Sequence, residues 1–178
     1  MKKINIGGLN FEILITQKTI LKRIFEISQQ LQIKYKNDWP LFIIVLNGAV
    51  VFANQLLSYL DSKIESMSIK AHSYDGLKST GNVFIDHCDY SVVKNKSIVI
   101  IEDIVDSGLT LNFLKNELID NGALSVECVT LLFKKSKYKY QNKPKYIGFH
   151  IGDEFVVGYG MDYNQAGRGL KNIYKQIL

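Results

Sequence analysis

SIVIIEDIVDSGLT, residues Ser97 to Thr110, is an apolar run that ends in two carboxylates and then opens through Asp-Ser-Gly into residues suited to starting a helix. Ser97–Ile101 has the unbroken apolar character of a strand buried on both faces, and the residues from Thr110 to about Ile119 return to helical spacing. A strand, a tight turn and a helix in that order build parallel sheets. The turn also has a chemistry of its own. Glu102 and Asp103 can hold hydroxyls or a metal ion, whereas the stretch Asp106, Ser107, Gly108, Leu109, Thr110 offers backbone N–H groups to a phosphate. A sugar phosphate would satisfy both halves.

Working outward, the same alternation continues in both directions. Ile20, Ile24, Ile27 and Leu31 recur at helical spacing between Thr16, a suitable N-cap, and the stop at Asn37-Asp38-Trp39-Pro40. Leu41–Leu46 is a second buried strand, and after Asn47-Gly48 the segment Ala49–Leu60 is again helical in pattern. Residues 64–72 alternate as a half-buried strand. Ser73–Asn82 (SYDGLKSTGN) is polar, Gly-bounded and aperiodic, which predicts a long hairpin tip or a lid before a short strand at 83–86. Asn121-Gly122 ends the helix that begins at Thr110. Leu124–Phe133, Lys145–Ile151 and Phe155–Tyr159 follow as strands, with a helical turn expected at the C-terminus. In a parallel sheet of this kind ligands bind beyond the carboxyl ends of the strands, where Asn47-Gly48, Glu102–Thr110 and Lys134-Lys135 all fall.

Composition narrows the class. With 178 residues and 47% hydrophobic content, the chain suits one well-filled core. The net charge of +5 is spread along the chain apart from a cluster at Lys134–Lys145, so a polyanionic small substrate accounts for it as well as a nucleic acid does. Cys88 and Cys128 form neither a disulfide framework nor a metal pattern, and His72, His87 and His150 are too dispersed for a metal site. No apolar stretch is long enough to span a bilayer, and no leader pattern opens the chain; a cytoplasmic location is expected.

Residues Ile98–Thr110 resemble the phosphoribosyl-diphosphate signature of the type I phosphoribosyltransferases. Leu46-Asn47-Gly48 falls where the diphosphate loop of that family stands, Ser73-Tyr74 opens its flexible loop, and Leu132–Lys135 supplies a Lys after a strand. Lys145–Asn164 (KYIGFHIGDEFVVGYGMDYN) is similar to the branch that acts on 6-oxopurines, the hypoxanthine and hypoxanthine-guanine enzymes. The resemblance runs in order from about Leu41 to Arg168. It implies an α/β fold, a mostly parallel twisted sheet flanked by helices, in one domain over 1–178. The core would span about 38–145, a small hood would come from about 1–15 and 146–178, and a flexible loop would occupy 73–82.

The same resemblance implies the reaction and its residues. Phosphoribosyl would pass from 5-phosphoribosyl 1-diphosphate to hypoxanthine or guanine, with Mg²⁺ as cofactor. Asp106 would accept the purine N7 proton as the catalytic residue. Asn47, Gly48, Ser73, Tyr74, Glu102, Asp103, Asp106, Ser107, Gly108, Leu109, Thr110 and Arg168 would bind phosphoribosyl diphosphate. Lys134, Tyr146, Ile147 and Asp153 would bind the purine, with Lys134 donating to O6 and Tyr146 stacking on the ring. Glu102, Asp103 and Asp153 would face the metal. The family forms dimers or tetramers of identical chains. One departure stands out: Asn47 occupies a place that commonly holds Lys or Arg, so a charge-assisted contact to diphosphate is lost. Two other readings stay open, a phosphoribosyl-diphosphate-binding regulator that acts on nucleic acid, and the same reaction with xanthine as the main base.

Overall fold

The computed structural model describes residues 3–73, 83–86 and 88–177. The expected loop over 73–82, Tyr74 included, and His87 lie outside the described residues, apart from the strand end at Ser73. A hairpin of β1 (Lys3–Ile6) and β2 (Leu9–Ile15) leads into α1 (Gln17–Tyr35), whose first turn is capped by the Thr16 hydroxyl accepting from the Thr19 amide. Ile20, Ile24, Ile27 and Leu31 on that helix are fully buried, as their spacing requires, each contributing about 1.5–3 kcal/mol of apolar burial.

Next come β3 (Leu41–Leu46), α2 (Val50–Leu57), β4 (Glu65–Ser73) and the short β5 (Val83–Ile85). Then β6 (Ser97–Val105), α3 (Leu109–Asp120), β7 (Ser125–Phe133) and β8 (Tyr146–His150) complete a six-stranded sheet of order β5-β4-β3-β6-β7-β8. All its pairings are parallel except β4 with β5. Period-two alternation sorts β6 between two cores. Val99 and Ile101 join the layer with α1 and α2, while Ile98 and Ile100 join Leu111, Leu114 and Leu118 of α3. The chain moves outward from β3 to β4 but in the opposite direction from β6 to β7, which leaves a crevice between the carboxyl ends of β3 and β6.

Four features differ from expectation. The C-terminal segment is a strand, β10 (Ile173–Gln176), and not a helical turn; it lies between β2 and β9 (Val156–Val157) in a second, antiparallel sheet of order β1-β2-β10-β9. The strand expected over 155–159 is therefore only two residues long. Residues 146–150 pair with β7 and belong to the main sheet, so the core extends beyond 145 and the hood begins after β8. Finally, β6 runs on to Val105, so Glu102 and Asp103 are inside a strand and point to opposite faces of it. On the outer flank, Arg23 of α1 donates from Nη2 to the Ile147 carbonyl (2.8 Å) and from Nε to the Gly148 carbonyl (3.0 Å) of the outermost strand.

Candidate active site

The crevice is built from the carboxyl ends of β3, β6 and β7. Asp103 is partly buried beside the β3–α2 turn, so close that a Cβ on Gly48 would fall 1.8 Å from its Oδ2. Only glycine permits that approach, which brings the backbone of the Asn47-Gly48 turn onto the carboxylate. The Leu46–Asn47 peptide at the turn is cis, and Asn47 itself is exposed. Burial is the main reason the Asp103 carboxyl is pushed up to about 6; its own amide, the Ile104 amide and Arg168 act in the opposite sense, and the charge of Asp162 adds to the rise. Glu102, on the other face, is 6% exposed, and burial together with the neighbouring Asp103 pushes its carboxyl well up.

Beyond the acids the chain turns at Asp106-Ser107-Gly108. Gly108 is the N-cap of α3 in the left-handed region (φ 84°) and brings no side-chain cap, and no acidic residue sits in the first turn. The Ser107 hydroxyl accepts from the Leu109 amide at 3.3 Å. The positive end of the helix thus opens on a cavity of about 260 Å³ lined by Glu102, Asp106, Ser107, Gly108, Leu109 and Thr110 among others. It is Glu102, and not Asp103, that shares this hollow with the phosphate turn.

At the other end, Lys134 emerges from β7 almost completely buried and donates from Nζ to Asp106 Oδ2 at 2.9 Å. Lys137 Nζ stands 3.9 Å from the second oxygen. An ammonium has three donors, so the bond to Asp106 leaves Lys134 free to engage another acceptor. Acceptor and donor are then side by side at one spot.

The expected purine contacts need correction. Tyr146 begins β8 at its amino end, 7% exposed, packed into the core beside Tyr35 and Lys145 and remote from the carboxyl-end crevice. Ile147 lies in the ladder with its carbonyl already taken by Arg23. Asp153 accepts from the Ser136 hydroxyl at 2.7 Å and is not among the charges that shift Asp103. An aromatic–aliphatic pair with an Asp the same distance downstream occurs twice in this part of the chain, at Tyr146-Ile147 with Asp153 and at Phe155-Val156 with Asp162. Exposure separates the two copies. Phe155 is 42% exposed beyond the carboxyl end of β8, its ring steadied by Phe11 and Tyr163, and Asp162 is the acid that reaches Asp103. Arg168 joins this cluster through Asp162 Oδ1 (2.6 Å) and the Gly160 carbonyl (3.0 Å). Sequence reasoning gives Phe155, Asp162 and Lys137 no site role, although Asp162-Tyr163-Asn164 marks the 6-oxopurine branch; the doubled pattern holds the signal for the first two, and for Lys137 there is none. Among the described residues no three acidic, His or Cys side chains converge as a metal cage.

Glu102 and Asp103 of β6, the Asp106–Thr110 turn and the Asp106–Lys134 pair lie together toward the carboxyl ends of one sheet, and residues 12–164 match the family model for the phosphoribosyl transferase domain. The chain belongs to that family. It is 38% identical over 163 residues to the hypoxanthine-guanine phosphoribosyltransferase of Bacillus subtilis, covering 91% of each chain. The hypoxanthine-guanine-xanthine phosphoribosyltransferase of Tritrichomonas foetus is 36% identical over 159 residues, with 89% of this chain and 87% of that one covered. A crystal structure of a hypoxanthine phosphoribosyltransferase from Staphylococcus aureus superposes with a TM-score of 0.87 at 35% identity, covering 93% of this chain and 91% of that one.

Proposed function

We propose that this phosphoribosyltransferase transfers phosphoribosyl from 5-phosphoribosyl 1-diphosphate to hypoxanthine or guanine, giving inosine or guanosine monophosphate and diphosphate. The observation that carries the reading is the Asp106–Lys134 pair at the rim of the cavity that also holds the phosphate turn. On a 6-oxopurine the N7 proton and the O6 acceptor lie next to each other, and a carboxylate beside an ammonium is their complement. Adenine carries an amino donor in place of O6 and meets Lys134 donor to donor.

In the reaction, N9 of the base forms a bond to C1 of the ribose as the bond from C1 to the diphosphate oxygen breaks, its electron pair leaving with diphosphate. Asp106 takes the proton that N7 gives up. Amides of Ser107, Gly108, Leu109 and Thr110 hold the 5′-phosphate, and Glu102 and Asp103 hold the ribose hydroxyls and offset positive charge developing on the sugar. The Asn47-Gly48 backbone and Arg168 bind diphosphate, with Ser73 and Tyr74 as further contacts to phosphoribosyl diphosphate. The ring of Phe155 stacks on the base in the role expected of Tyr146.

A hard oxygen donor set of one or two carboxylates suits Mg²⁺, whose remaining ligands would be water and substrate phosphates. Asp103 would hold one ion, with Asp162 in the place expected of Asp153, and Glu102 would face metal or ribose hydroxyls from the other face of β6; when bound, the ion would neutralise the substrate and the departing diphosphate. The same proposal makes the protein a cytoplasmic homodimer or homotetramer, which light scattering would measure. No helix among the described residues is long and apolar enough to cross a membrane.

Incubation with Mg²⁺, phosphoribosyl diphosphate and each of hypoxanthine, guanine, xanthine, adenine and uracil tests the assignment. Nucleotide is expected from hypoxanthine and guanine. Product from xanthine alone would move the main substrate, and product from none would favour a binding protein over an enzyme.

A further inference from the structure

The segment after β7 returns across the phosphate turn and packs on it. The Tyr138 ring covers Gly108 so closely that a Cβ there would fall 2.3 and 2.6 Å from two ring carbons, with a Tyr140 ring carbon at 3.0 Å. Tyr138 is itself fixed by an edge contact to buried Phe133 (5.1 Å), by Tyr140 (6.0 Å), and by its hydroxyl on the Asn142 carbonyl. Next to it, the Lys139 amide donates to the Ser107 carbonyl at 3.1 Å. The turn is thus backed by the Tyr138 ring, with Tyr140 beside it, and by one hydrogen bond, all supplied by a segment only a few residues beyond Lys134.

We infer that Tyr138 is a positioning residue for the phosphate turn, keeping the amides of Ser107–Thr110 aimed into the cavity and tying their placement to that of Lys134. The inference rests on the reading of that turn as the 5′-phosphate site. Gly108 holds a left-handed conformation that no side chain of its own stabilises, and as glycine it has the widest alternatives if the ring is removed. A phosphate bound by several backbone amides is sensitive to their common orientation, because each bond weakens steeply once misaligned. The base contacts at Lys134 come from the strand end itself, anchored in the sheet by the Lys134 amide on the Val105 carbonyl, and do not depend on the ring.

The test compares wild type with Tyr138→Ala, Tyr138→Leu and Tyr138→Phe in steady-state kinetics, varying each substrate in turn. Tyr138→Ala is expected to raise the KM for phosphoribosyl diphosphate about tenfold, with the KM for hypoxanthine changed less than twofold. Tyr138→Phe, which keeps the ring on Gly108, should restore the wild-type value. Tyr138→Leu keeps bulk behind the turn and is expected to fall between them; it replaces the Ala variant should that one fail to fold. A KM for phosphoribosyl diphosphate within twofold of wild type in both Ala and Leu variants overturns the inference, as does an equal rise in both KM values. Absence of nucleotide formation by wild type would instead overturn the transferase reading itself.

Discussion

Asp106 is the residue on which the proposed proton transfer turns, and its surroundings say what its loss should do. Replacing it by Asn keeps the shape of the rim and a hydrogen-bonding group near Lys134 while removing the proton acceptor. General-base contributions are typically about 10²–10⁴-fold, so Asp106→Asn is expected to lower kcat within that range and to weaken phosphoribosyl-diphosphate binding far less. Equal losses in both would make Asp106 a phosphate-positioning group only. Lys134→Ala should relax discrimination between hypoxanthine and adenine, read as a ratio of kcat/KM values; an unchanged ratio would take Lys134 out of the base pocket. Asp103 makes a prediction about stability. Its carboxyl lies at about 6 in the fold against an ordinary value of 3.8, so the folded chain holds a proton that the unfolded chain has released. Ionising it therefore costs stability as pH rises from about 4 through 6, reaching about 3 kcal/mol above that window. Asp103→Asn removes this cost. In thermal melts the variant should gain on wild type between about pH 4 and 7 and hold a constant advantage above, while losing activity. A difference in Tm that is flat with pH would mean that Asp103 is not held ionised at a cost.

At the scale of elements, β10 is the piece on which the hood depends. It is the only strand of the described residues that joins β2 to β9, and Ile173 is buried without exposure at its start. Ile173→Ala is expected to cost about 2–5 kcal/mol, measured by denaturant unfolding. That strand was not legible beforehand. Ile173-Tyr174-Lys175-Gln176 is too short to show a period, and it acquires strand geometry from partners at Phe11–Ile15 and Val156-Val157 that are distant in sequence. The hairpin over 3–15 escaped for a related reason, since most of its positions are only partly buried. By contrast β3 and the first half of β6 read plainly in the sequence, because strands covered on both faces are near-continuously apolar, and β7 reads as a strand despite Glu127 and Thr130. The site divides along the same line. The Asp106–Thr110 turn and Lys134 follow strand ends, whereas Glu102 and Asp103, expected just past Ile101, lie within β6 because it runs on to Val105. Tyr146 was mistaken for a rim aromatic because a repeated local pattern carries no information about which end of a strand it occupies; burial supplied it.

For the molecule as a whole, the net charge of +5 finds its use in a substrate that bears both a phosphate and a diphosphate. Long-range attraction raises the encounter rate of such an anion and is screened by salt. Raising ionic strength should therefore lower kcat/KM for phosphoribosyl diphosphate more than for the uncharged base; an equal response to salt would leave the charge without a part in capture. The two guanidinium bonds that Arg23 places on β8 bear on the chain's behaviour in a crowded cell. An open flank of a sheet invites any passing extended peptide to zip on, and growth from there ends in insoluble fibres. With the outward Gly148 carbonyl already accepting from Arg23, an incoming strand finds an acceptor on that margin taken.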